Sequence, residues 1–131
     1  MNVEWDEWDG VVCYEHIDED CSVDDAVAVL RQLDQSTHAL MTTHGEAISL
    51  TIGGGSDRYI VFVQEKDDGE IWEARTRRDV ASVTEKLMVV AGGQEGDFSP
   101  EQVLTHNEAR LVLEDFFASA SRSTAVNWVV V

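Results

Sequence analysis

Basic residues are scarce in this chain. Nine Lys and Arg stand against 26 Asp and Glu in 131 residues, giving a formal charge of -17. No Lys or Arg occurs before Arg31, whereas residues 1–30 hold the carboxylates Glu4, Asp6, Glu7, Asp9, Glu15, Asp18, Glu19, Asp20, Asp24 and Asp25. A field of that sign repels phosphates at every range longer than a contact, which argues against binding DNA, RNA or an anionic membrane surface. The natural partner is something basic, or nothing.

Cysteine and proline are also rare. Cys13 and Cys21 are the only cysteines, and Pro100 is the only proline. Two thiols without a second pair or a nearby histidine ladder cannot complete a zinc site, so a reduced pair is the expectation. No apolar run approaches the ~20 residues a spanning helix needs. The start MNVEWDEWDG has neither a basic segment nor an apolar core, so no signal peptide is expected and the chain is expected to be cytoplasmic. The patterns GxxxxGK[ST], HExxH, CxxC and GxSxG are missing. Of the four histidines, His38 and His44 fall near the ends of one expected strand, about 20 Å apart by strand rise, too far to share a metal. Asp18, Glu19, Asp20 and Asp24 are dense in oxygen ligands but lack the spacing of a calcium loop. No catalytic residue, metal or cofactor is therefore expected.

What is present suits a folded domain. Hydrophobic residues make up 44% of the chain, including four Trp, enough to bury about two-thirds of the unfolded surface at this length. Residues 10–17 alternate as a strand does. Ser22, with Asp25 three residues on and Asp24 beside it, predicts a helix start. Ala26, Val27, Leu30 and Leu33 then recur at helical spacing to about Asp34.

From residue 37 the apolar period drops to two, predicting strands at 37–43, 46–53, 58–64, 70–76 and 85–92. Turn signals at 44–45, 53–57 and 67–69 make the first four an antiparallel meander. Gly53, Gly54 and Gly55 read as part of a hairpin turn, because no phosphate-loop lysine and no helix follow them. Residues 92–104 read as a loop. Thr105 and Glu108 form a capping box for a second helix, whose apolar face is Ala109, Val112, Phe116 and Ala120 with Leu113 and Phe117; Ser99 and Gln102 offer a rival start. A closing strand around Trp128 should return to the sheet and bury the valine-rich tail. The predicted fold is α+β, a mainly antiparallel sheet packed against two helices, in one domain over 1–131. Its expected core includes Trp72, Val112, Phe116, Phe117 and Trp128.

The acidic runs are interleaved with large aromatics, as in Trp5-Asp6-Glu7-Trp8-Asp9 and Asp68-Gly69-Glu70-Ile71-Trp72-Glu73. Interfaces concentrate binding energy in aromatic anchors, while charge steers the partner and raises the association rate. Trp5, Asp6, Glu7, Trp8, Asp9, Asp18, Glu19 and Asp20 are thus a candidate docking face, extended by Asp67, Asp68 and Glu70. The alternative for Trp5 and Trp72 is that both face inward from strands. Arg75, Arg77 and Arg78 form the only basic cluster and are expected to neutralise nearby acids.

The segments Thr105-His-Asn-Glu-Ala109, Leu113-Glu-Asp-Phe116-Phe117, the polar connector 118–124 and Val126-Asn-Trp128 together resemble immunity protein family 1 of bacterial polymorphic toxin systems. The early helix and the meander with its Ile71-Trp72 strand agree in order. The resemblance implies an α+β fold without catalysis. It also implies interbacterial competition, with the chain as cognate inhibitor of a secreted toxin encoded beside it, often one resembling nucleic-acid deaminases. It makes Phe116, Phe117 and Trp128 structural. A toxin that acts on nucleic acid needs a basic cleft, which an acidic surface could occlude. Two other classes stay open on residues alone: an acidic regulatory or chaperone-like module for a basic protein of the same cell, and a carboxylate-dependent enzyme.

Overall fold

The structure, a computed structural model, describes residues 1–67 and 69–131. Its elements in chain order are β1 (Asn2–Asp9), β2 (Val12–Asp18), α1 (Val23–Gln32), β3 (Leu40–His44), β4 (Ile48–Gly55), β5 (Arg58–Glu65), β6 (Ile71–Arg75), β7 (Leu87–Ala91), β8 (Gln94–Phe98), α2 (His106–Ser119) and β9 (Asn127–Val130). Seven strands make one antiparallel sheet in the order β2-β1-β3-β4-β5-β6-β9, and β7 pairs with β8 in a small second sheet. The fold is α+β, as its sequence pattern predicts.

Strand alternation sorts the apolar residues between two layers. Val3, Met41, Leu50, Ile52, Val61, Val63 and Ala74 share a core with Leu30 of α1 and with Val112, Leu113 and Phe116 of α2. The opposite face carries Ile60, which packs with Val89 and Val103 under the β7–β8 hairpin. Both helices start where their caps lie: Ser22 Oγ accepts from Asp25 N at 3.1 Å, and Thr105 and Glu108 close a reciprocal capping box. Ser99 and Gln102 also form a capping box, but on a single 3-10 turn, Pro100–Gln102.

Three expectations need correction. The three consecutive glycines are the end of β4, and the turn is made by Ser56 and Asp57, at φ 53° and 64°. Part of the stretch read as a loop is β8, because Gly92 and Gly93 take positive φ and fold residues 94–98 back onto β7. The C-terminal strand does return to the sheet, but as its outermost member. Val129, Val130 and Val131 therefore stay 43%, 45% and 63% exposed. Among the expected core residues, Val112 and Phe116 are fully buried. Trp72, Phe117 and Trp128 are half-buried at the margin of the same core. Trp128 Nε1 donates to the Ser123 carbonyl at 2.8 Å, and the Arg122 guanidinium lies 3.7 Å over the Trp72 ring.

Glu108 joins α2 to the chain after β6. It accepts from Thr76 Oγ1 at 2.6 Å and from Arg78 Nε at 2.9 Å. Burial alone would raise its pKa, but the hydrogen bonds from Thr76, Thr105 and Arg78 outweigh burial and hold it below the ordinary value. A carboxylate depressed on folding stabilises above its unfolded pKa, and that contribution is lost as pH falls through the folded pKa. Protonating the exposed carboxylates acts the other way, since it relieves repulsion in a chain of charge -17. The informative quantity is thus a difference. The stability gap between the wild type and Glu108→Gln, from urea unfolding, should be largest near neutrality and close below about pH 4. A gap independent of pH would show that the ionised carboxylate contributes nothing.

Candidate functional site

The first eighteen residues form a long hairpin at one edge of the sheet. Gly10, at φ 60°, and Val11 make its two-residue turn, and the register runs from Asp9↔Val12 to Val3↔Asp18. Only Asn2–Trp5 of β1 pair with β3; nearer the turn β1 is held by the chain that leads into β3, where Trp8 N donates to the Thr37 carbonyl at 2.7 Å.

Alternation along β1 divides the candidate docking residues. Trp5, Glu7 and Asp9 point to the helix side, where Trp5 packs on the core and stacks with His16 at 5.5 Å between centroids. Asp6 and Trp8 point to the other side, where the Trp8 ring lies against Gly93. Asp6 is only 6% exposed. Its Oδ1 accepts from Ala39 N and Leu40 N at 2.7 and 3.0 Å, and its Oδ2 from Trp8 Nε1 at 2.7 Å. Asp6 therefore corrects the sequence reading: its carboxylate is a buried clamp between β1 and the approach to β3. Thirty-three residues separate the partners, and no local signal announces the contact.

The single face expected of 5–9 and 18–20 does not form. Asp18 pairs with Val3, and Asp9 lies six residues further along β1, about 20 Å away. Asp18, Glu19 and Asp20 lie instead at the end of the sheet shared by His44 and the β5–β6 connection, since Asn2↔His44 and Ile48↔Glu65 carry the register across. Exposed Asp67 and Glu70 thus share that end with 18–20, about 19 Å away at four strand spacings. Asp68 lies outside the described residues. The acidic surface is split between the two ends of the hairpin, and Glu15 stands between them on β2.

Part of the remaining charge is tied down locally. Arg75 Nε donates to buried Glu73 at 2.7 Å and Arg78 pairs with Glu108, so two members of the basic cluster do neutralise carboxylates. His16 Nε2 lies 3.4 Å from Glu7 Oε1, and His44 Nε2 3.4 Å from Glu4 Oε1. Both cysteines are free, Cys13 exposed and Cys21 buried. Burial, reinforced by the neighbouring Asp18, pushes the Cys21 thiol up to about 11, so it stays protonated near neutral pH. Among the described residues no three His, Cys, Asp or Glu side chains are gathered to hold a metal ion. An open cleft of about 650 Å³ between the strand ends and the end of α2 has His44, Glu46 and Lys66 in its wall. With one carboxylate among the described residues, Glu46, it does not supply the facing pair that carboxylate catalysis needs.

The apolar surface is what sequence reading missed. Val11, Val12, Tyr14 and Ile17 are 95%, 50%, 53% and 57% exposed, all on the outer strand or turn of this hairpin. Alternating apolar residues on a strand suggest one buried face, and nothing in the pattern says that β2 would be an edge with neither face covered.

These features define an acidic α+β protein whose most distinctive surface is an edge hairpin with an exposed outer strand, suited to contact with another protein. No helix among the described residues is long and apolar enough to cross a membrane. Compared with models of known families, residues 19–130 match immunity protein Imm1, and the chain belongs to that family. Immunity proteins of this kind act by binding a cognate toxin, and the family is generally non-enzymatic. The β1–β2 hairpin precedes the matched residues. No curated protein matches the chain.

Proposed function

We propose that the chain neutralises a nucleic-acid-targeting toxin, deaminase-like or nuclease, in the cytoplasm, by setting its acidic N-terminal surface against the toxin's basic active-site cleft. The observation that carries this reading is the hairpin and the turn after it: Asp9, Glu15, Glu19 and Asp20 are exposed there, with Glu7 and Asp18 partly so, and no Lys or Arg precedes Arg31. A cleft built to neutralise phosphates carries the complementary charge. Opposite potentials accelerate encounter, and the half-exposed Trp5 and Trp8 with Tyr14 supply aromatic area for affinity once contact is made. The split between the two ends of the hairpin assigns Asp18, Glu19, Asp20, Asp67 and Glu70 to one acidic lobe and Glu7 and Asp9 to another.

Changing Asp18, Glu19 and Asp20 together to Lys tests the reading against the toxin encoded beside this chain. The association rate, by stopped-flow fluorescence, should fall about 10- to 100-fold at low salt and lose most of its salt dependence. The urea midpoint should move little, since two of the three side chains are exposed. An unchanged association rate removes this lobe from the interface. Co-expression with the toxin gives the cellular counterpart, in which the wild-type chain should restore growth.

A further inference from the structure

The outer side of β2 is an unused hydrogen-bonding edge whose pattern can be worked out residue by residue. In a hairpin with a two-residue turn the closing pair exchanges both backbone hydrogen bonds, and bonded and non-bonded pairs then alternate. Asp9↔Val12 closes this turn, so Glu7↔Tyr14, Trp5↔His16 and Val3↔Asp18 are bonded pairs, and Trp8↔Cys13, Asp6↔Glu15 and Glu4↔Ile17 are not. Contacts of β1 agree: Trp8 N donates to the Thr37 carbonyl at 2.7 Å, and the Asp6 carbonyl faces His38 Nδ1 at 2.6 Å, both on the side away from β2. The backbone N–H and C=O groups of Cys13, Glu15 and Ile17 therefore point outward. Among the described residues nothing pairs with them, because β2 ends the sheet.

We infer that this edge takes a β-strand of the toxin, extending the seven-stranded sheet through the backbone groups of Cys13, Glu15 and Ile17. The inference rests on the toxin-binding reading above and specifies its geometry. Exposed backbone in register gives affinity, and side chains on either face give selectivity. On the helix side the incoming strand meets Val12, Tyr14 and His16; on the other it meets Cys13, Glu15 and Ile17. The fitting segment is therefore apolar with a Lys or Arg placed to meet Glu15.

Charge decides between a toxin strand and a second copy of this chain. Antiparallel pairing of two β2 edges about Glu15 would set one Glu15 directly opposite the other, between chains that each carry -17. Like charges directly opposite are destabilising. A strand from a basic protein has no such penalty. The other edge, β9, is four residues long and flanked by uncharged valines, so it offers neither the length nor the charge to select a basic strand.

Amide hydrogen exchange of the uniformly labelled chain, free and in complex with the toxin encoded beside it, tests this directly. In the free chain the amides of Val12, Tyr14 and His16 should be protected and those of Cys13, Glu15 and Ile17 should exchange rapidly. In the complex all six should be protected. Rapid exchange of the second three in a formed complex overturns edge addition while leaving toxin binding intact; failure of the wild-type chain to form a complex overturns both readings. Two substitutions give a second measurement. Glu15→Pro deletes an outward N–H without touching a bonded pair of β1, whereas Glu15→Gln removes only the charge. Glu15→Pro should weaken Kd about 10- to 100-fold beyond Glu15→Gln. Equal Kd values for the two variants, with unfolding midpoints matched, overturn the inference.

Discussion

Asp6→Ala is expected to cost about 3–5 kcal/mol of folding stability, far more than removal of any other carboxylate in the N-terminal segment. Its two oxygens serve three donors, Ala39 N, Leu40 N and Trp8 Nε1, all within 3.0 Å. Truncation leaves those donors unpaired. Ala39 is fully buried, so water cannot replace the lost acceptor without opening the structure. A buried donor left unsatisfied costs about 1–3 kcal/mol. Asp6→Asn separates the parts of this clamp. An amide can still present its oxygen to Ala39 N and Leu40 N, but it then turns an NH2 group toward Trp8 Nε1, and two donors face each other. The expected cost is about 1.5–3 kcal/mol. Glu7→Ala, by contrast, should stay within about 0.5 kcal/mol, because its side chain is partly solvated and its one close partner is a half-exposed histidine. Urea unfolding of the three variants checks the order. A cost for Asp6→Ala no larger than that of Glu7→Ala would mean that the hairpin is not clamped through this carboxylate.

The contrast between Asp6 and Glu7 shows what the sequence discloses and what it withholds. Local chemistry is legible: the caps at Ser22 and Thr105, the apolar stripes of α1 and α2, and the period-two strands of the meander follow from residues within a few positions of one another. The backbone partners of Asp6 lie 33 and 34 positions away, and neighbouring carboxylates look alike until the chain is folded. Edges are hidden for the same reason. Whether Tyr14 and Ile17 face a neighbour or solvent depends on which strand ends the sheet, and that is fixed by β1 pairing with β3 instead of β2 doing so. The same gap divides the candidate site. Residues 5–9 are contiguous in sequence, yet a strand sends alternate members to opposite faces.

Gly55→Ala should prove about as damaging as Asp6→Ala, at about 3–5 kcal/mol, and it decides between two accounts of the glycine triplet. If these residues were the hairpin turn, one Ala would meet only solvent and cost about 1 kcal/mol. Gly55 instead holds φ 141° within β4, a region closed to side chains, and a Cβ there would lie 2.4 Å from Asp34 N and from the Leu33 carbonyl. The chain leaving α1 crosses the strand at that point: Asp34 bridges to Gly55, Gln35 N donates to the Gly54 carbonyl at 3.2 Å, and Gln35 Nε2 to the Gly55 carbonyl at 2.9 Å. Backbone strain of about 1–3 kcal/mol and a similar cost for overpacking therefore combine. No rotamer change relieves the clash, because both neighbours are backbone. Ser56→Gly is the matched control. Ser56 occupies the turn at φ 53°, where a glycine relieves left-handed strain but gains unfolded-state entropy, so the net change should be within about 1 kcal/mol. Thermal unfolding of both variants distinguishes the accounts. Similar small losses would place the triplet in the turn, while a large loss confined to Gly55→Ala identifies it as the crossing point that seats α1 on the sheet.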